Sequence, residues 1–103
     1  MTLPTIPTTK VFVTLGVDTH SDTHVGAALD QFGRCLGTLS APATAPGYAK
    51  LMSWASEFGT LKCAGVEGTG SYGAGLARFL RAKGLGVIEV NRPNRQHRRR
   101  VGK

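Results

Sequence analysis

Residues 11–29, VFVTLGVDTHSDTHVGAAL, decide the fold of this chain. Residues 11–17 are almost continuously apolar, as in a strand covered on both faces, and the run breaks at Asp18. After Thr19, His20 and Ser21, residues 23–30 alternate, with Val25, Ala27 and Leu29 on one face at the period of a half-buried strand. The stretch therefore reads as a strand, an acidic turn and a returning strand. A carboxylate placed where a central strand meets solvent is a candidate metal ligand. Asp-Thr-His-Ser is equally ordinary turn chemistry, so a second acid has to decide between the two.

Working outward, residues 30–33 (DQFG) predict a tight turn in which Gly33 takes a positive φ, and residues 34–39 predict a third strand. Residues 40–46 are small, polar and proline-rich, a connector in which Thr44 caps a helix and Pro46 sits in its first turn. Leu51, Trp54, Ala55 and Phe58 fall at helical spacing, a stripe read as core packing, and Gly59 ends that helix. Residues 61–66 predict a buried strand that stops at Glu67. A second helix over 72–83 buries Leu76, Phe79 and Leu80 with Arg78 and Arg81 facing out, and residues 87–90 make a fifth strand.

The order βββ-α-β-α-β is that of an α/β, ribonuclease H-like mixed sheet: a meander first, parallel crossovers afterwards. In it the first strand is central and the fourth lies parallel beside it, joined by a right-handed crossover. That topology sets Asp18 and Glu67 side by side at one sheet edge. Two carboxylates so close need a cation, or one must stay protonated. An all-oxygen pair prefers Mg²⁺ or Mn²⁺, the metals that align phosphodiester oxygens in two-metal nucleases. Glu67 alone would be explained by the N-terminal end of the following helix, which favours an acid. Two acids at two neighbouring strand ends favour the metal.

With 103 residues, 41% of them hydrophobic, the chain has room for one domain with a modest core. Cys35 and Cys63 stand in no metal-ligand spacing and are expected to pack as small apolar residues in a reducing compartment. No apolar run approaches the length of a membrane span, and residues 1–10 lack the features of a secretory signal, so a soluble cytoplasmic protein with a loose leader is expected. The formal charge of +7 is uneven: residues 92–103 hold Arg92, Arg95, Arg98, Arg99, Arg100 and Lys103 with no acid, leaving seven basic against six acidic residues elsewhere. A solvated tail is the plain reading. Five arginines in nine residues suit bidentate contact with nucleic-acid phosphates better, and that reading is favoured. The domain plan is thus a leader at 1–10, a partial catalytic domain at 11–91 and a basic tail at 92–103.

Two other motifs compete. Gly68-Thr69-Gly70-Ser71-Tyr72-Gly73 is literally G-x-G-x-x-G after a strand and before a helix, as in a dinucleotide-binding fingerprint. Against that, Asn91 stands where such sites want an acid, and three strands and a helix precede the motif. The more economical account is a donor-rich loop beside the acids, with Gly68, Thr69, Gly70, Ser71 and Tyr72 contacting a nucleic-acid backbone. Asp18, His20, Asp22 and His24 alternate as zinc ligands do, yet they straddle a turn, so His20 and His24 are read as hairpin residues near the site and His97 as part of the basic arm.

Val17-Asp18-Thr19-His20, His24-Val25, Gly65-Val66-Glu67-Gly68-Thr69-Gly70-Ser71-Tyr72-Gly73, then Val90-Asn91-Arg92-Pro93 and the arginine run together resemble the N-terminal domain of the DEDD transposases of insertion-sequence family one-ten. The resemblance covers nearly everything from residue 11 to residue 103. It implies a RuvC-like catalytic domain that cuts and rejoins DNA with an acidic tetrad and divalent metal, with a guide RNA selecting donor and target sites. Its partners would be transposon ends, target DNA and that RNA, acting as a homo-oligomer in the bacterial nucleoid. Asp18 corresponds to the first acid and Glu67 to the second. The last two aspartates and a serine nucleophile of a second domain are expected in sequence beyond residue 103, so these residues alone are expected to be inactive.

Two readings from other classes stay open at this level. One is a non-enzymatic basic nucleic-acid-binding module in which both acids are structural. The other is a nucleotide-binding half-domain of the actin-like ATPase kind, although Thr19-His20-Ser21 lacks the glycine that cradles phosphate in such folds.

Overall fold

The computed structural model describes residues 10–91. Their order is β1 (Phe12–Thr19), β2 (Thr23–Leu29), β3 (Cys35–Pro42), α1 (Ala45–Ser56), β4 (Thr60–Glu67), α2 (Ala74–Ala82) and β5 (Gly86–Val90). The strands form one sheet in the order β3-β2-β1-β4-β5. β1 runs antiparallel to β2 and β2 to β3, whereas β1 pairs with β4 and β4 with β5 in parallel. This is the ribonuclease H-like mixed sheet expected from the element order, with β1 at its centre. The two antiparallel pairings separate it from the all-parallel sheet of a dinucleotide-binding fold.

Each junction has a local cause. At the β2–β3 turn the Asp30 carboxylate accepts hydrogen bonds from the backbone N–H of Phe32 and Arg34, both 2.9 Å, and from Arg34 Nε. Burial alone would raise the Asp30 carboxyl, but those donors more than offset it and hold it below its ordinary value. Gly33 completes the turn at φ +82°. Thr44 caps α1 as expected, its Oγ1 accepting from Gly47 N at 3.2 Å, with Pro46 in the first turn.

Several boundaries differ from the sequence expectation: α2 spans Ala74–Ala82 and not 72–83, and the ends of β3 and β1 also move. β3 continues through Ser40, Ala41 and Pro42, because Ala41 and Ser40 pair with His24 and Val25 of β2 and the ladder carries the small residues along. β1 likewise runs on through Asp18 to Thr19, where the partner strand still offers Val25 and His24. Asp18 is therefore a strand residue with its direction set by the pleat, and the turn begins after it.

The core lies on one face of the sheet. Val13, Leu15 and Val17 of β1, Ala64 and Val66 of β4, Leu51 and Ala55 of α1, and Leu76 and Leu80 of α2 are buried together, with Trp54, Phe58, Phe79 and Leu61 packed at the margin. β1 alternates buried and half-buried, so it is covered by helices on one face among the described residues, not on both. The β2 alternation is present, but its buried members are His24, Gly26 and Ala28, while Val25, Ala27 and Leu29 face the other way. The cause is close helix approach: a Cβ on Gly26 would stand 2.8 Å from Leu51 Cδ2 and 3.1 Å from Leu15 Cδ1. Small residues go inward where α1 presses on the sheet, and the larger apolar ones take the open face.

Candidate functional site

Parallel pairing of β1 with β4 sets Val17 opposite Val66, and both point into the core. One residue further along each strand the pleat reverses, so Asp18 and Glu67 emerge on the helix-free face, half-buried, on adjacent strands. Both line one cavity of about 320 Å³, together with Gly16, Gly65, Val25, Ala27 and Val90. Gly16 and Gly65 are direct cross-strand partners, which leaves the floor beside the carboxylates without side chains. His20 Nε2 lies 3.4 Å from Asp18 Oδ2, with both side chains about half exposed, so this contact contributes little stability and leaves the carboxylate accessible.

Directly after Glu67 comes the segment between β4 and α2. Gly68 takes φ +61°, a conformation that side chains resist, and its carbonyl accepts from Ser71 N and Gly73 N, each at 2.8 Å. A Cβ on Gly73 would lie 2.3 Å from Glu67 O, so the chain can turn this tightly only with glycine there. Thr19 Oγ1 donates to the same Glu67 carbonyl at 3.0 Å, tying the end of β1 to the end of β4. Sequence reasoning passed over Thr19; its only signal is that it follows the acid. A second cavity, of about 450 Å³, opens between this loop and His20 and includes Glu67, Ser71, Tyr72, Glu89 and Asn91. Glu89, also passed over in the sequence, accepts a hydrogen bond from Thr69 Oγ1.

Of the sequence-predicted residues, Asp18 and Glu67 come together, and Gly68, Thr69, Gly70, Ser71 and Tyr72 form the loop beside them. Arg92, Arg95, Arg98, Arg99, Arg100 and Lys103 lie outside the described residues, as do residues 1–9. The alternating Asp18, His20, Asp22 and His24 do not converge: His24 occupies the buried face, stacked on Tyr48 at 5.7 Å between ring centroids. Among the described residues no three His, Cys, Asp or Glu side chains group as a metal cage. The pair itself suits a hard cation, being all-oxygen, on one face and open to the several waters that Mg²⁺ keeps.

Burial also holds the His24 imidazole below its ordinary value, and among the described residues neither ring nitrogen has a hydrogen-bond partner. Above the unfolded value of 6.5 both states are neutral and His24 makes no pH-dependent difference. As pH falls below that value the unfolded chain takes up the proton first, so folding stability drops. His24→Phe keeps the stack on Tyr48 and removes the titration. Its urea midpoint is expected to fall less than the wild type's between pH 7 and pH 5.

No curated protein matches the chain. Among solved structures, the fold is similar to that of a ribonuclease H1, LC11-RNase H1, crystallised in complex with an RNA/DNA hybrid. The identity is 12% and the TM-score 0.43, over 87% of this chain and 90% of that one. A family profile described as transposase, of the DEDD type of insertion-sequence family one-ten, matches residues 15–103. That match begins inside β1 and takes in Asp18, Glu67, the glycine loop and the arginine run, and on its extent the chain belongs to the DEDD transposases of insertion-sequence family one-ten.

Proposed function

We propose that this chain supplies the first half of a metal-dependent site that cuts and rejoins DNA during transposition. One observation carries the reading: Asp18 and Glu67, far apart in sequence, emerge on the same face of adjacent parallel strands and line one cavity. In this account Asp18 and Glu67 would hold one Mg²⁺ or Mn²⁺, and Thr19 fixes the backbone from which Glu67 projects. A bound divalent ion aligns the phosphodiester oxygens and makes a water more acidic. The loop 68–72 lies against the nucleic-acid strand beside the acids. Arg92, Arg95, Arg98, Arg99, Arg100 and Lys103 neutralise backbone phosphates of the nucleic acid.

The partners in this reading are transposon ends and target DNA, selected by a guide RNA, with the protein acting as a homo-oligomer on nucleoid DNA in the cytoplasm. Among the described residues no helix is long and apolar enough to cross a membrane. The chain has six acidic residues, and Asp22, Asp30, Glu57 and Glu89 do not line the cavity shared by Asp18 and Glu67. The domain assignment is a partial catalytic domain at 11–91 followed by the basic segment. With two acids of a tetrad, the 103 residues are expected to bind nucleic acid and to yield no joined product from matched donor and target DNA in Mg²⁺. Turnover by the isolated chain in a gel-based strand-transfer assay would overturn the half-site assignment.

A further inference from the structure

The cavity of about 450 Å³ next to the acid pair differs from it in chemistry and falls within the range of about 300–1,000 Å³ usual for small-molecule sites. We infer that it is a subsite for one unstacked nucleobase, with Tyr72 as the stacking face, placed beside the phosphate that the carboxylate pair addresses. The inference rests on the nuclease reading for its location, and on three observations of its own.

Tyr72 is 60% exposed, and among the described residues its ring stacks on no other. It is nonetheless held in place, because its neighbours Ser71 and Gly73 both donate backbone N–H groups to Gly68 O, and Gly73 packs against Glu67 O too closely for any side chain. A large aromatic ring presented to solvent from a pinned turn can serve as a stacking platform, and an aromatic face accepts any base.

The polar lining selects a base over a phosphate. Glu67 and Glu89 both face this space, and their charge repels a phosphate in the absence of a cation. Carboxylates accept hydrogen bonds from exocyclic amino groups of bases, and Asn91 on the same wall both donates and accepts, as the edge of an amino-bearing base requires. Two backbone donors of the turn, Ser71 N and Gly73 N, are already taken by Gly68 O. Unpaired strands fit this site and duplex does not, because a base inside a helix has no free face for Tyr72.

The test uses the 103-residue chain and single-stranded oligonucleotides carrying 2-aminopurine, as DNA and as RNA of the same sequence, in buffer with EDTA. Wild type and Tyr72→Phe are expected to quench the probe on binding. Tyr72→Ala is expected to lose the quenching and to bind the single strand about 5- to 150-fold more weakly. Whichever of the DNA and RNA strands is quenched more names the source of the base. Equal quenching by Tyr72→Ala and wild type, or no quenching by wild type, would overturn the subsite. A matching far-UV circular dichroism spectrum for Tyr72→Ala shows that the fold is intact, as expected for an exposed side chain. Because EDTA removes divalent ions, loss of metal binding in a parallel titration would sink the nuclease reading while leaving this result standing.

Discussion

Asp18→Asn and Glu67→Gln are each expected to weaken Mn²⁺ binding by this chain by at least about 10- to 100-fold, with the double substitution adding little to either. The size follows from ligand chemistry: groups that only orient a metal ligand already cost about 10- to 100-fold when removed, and a carboxylate in direct contact costs no less. The non-additivity follows from geometry. Both acids line one cavity, so once one is neutralised the other holds a cation no better than a single surface carboxylate does. Both substitutions are nearly isosteric and sit on the half-buried open face, so the urea midpoint is expected to move little. Titration calorimetry with Mn²⁺ reads the affinities. Independent, additive losses would mean that the two carboxylates do not share an ion.

The second large effect belongs to the arginine run. Replacing Arg98, Arg99 and Arg100 by Ala removes up to three phosphate contacts, and each contact contributes about 0.9 to the slope of log affinity against log salt on duplex DNA. Between about 50 and 200 mM salt the wild type is then expected to lose about 40-fold more affinity than the triple variant does. The charge distribution is why this segment is proposed as the main grip, since the remainder of the chain carries seven basic against six acidic residues. Fluorescence anisotropy over a salt series measures the slopes. An unchanged slope would move the binding surface elsewhere.

How far the sequence disclosed this site depends on which physical signal each part carries. The βββ-α-β-α-β order was legible because turns at 30–33, the cap at Thr44 and the apolar stripes each punctuate the chain locally. The pairing of Asp18 with Glu67 followed from that order, since parallel neighbours of a central strand bring their ends together. What stayed hidden was which side of β2 faces the helices. Val25, Ala27 and Leu29 are the more apolar set, yet packing distance decided the matter: Leu51 of α1 sits so close to Gly26 that even a Cβ there would crowd it. The buried, unpartnered His24 was equally unreadable, because nothing in its neighbours distinguishes a core imidazole from one near the site. Thr19 and Glu89 act through contacts to Glu67 O and Thr69 across the sheet and loop, which sequence spacing does not encode.

The shared-ion claim is tested most directly by adding substoichiometric Mn²⁺ to the ¹⁵N-labelled chain and recording which amide signals broaden. The account predicts that residues at the ends of both β1 and β4, around Asp18 and Glu67, broaden together, and that Asp18→Asn abolishes the effect at both. Broadening confined to one strand, or persisting at Glu67 in the Asp18→Asn variant, would contradict it.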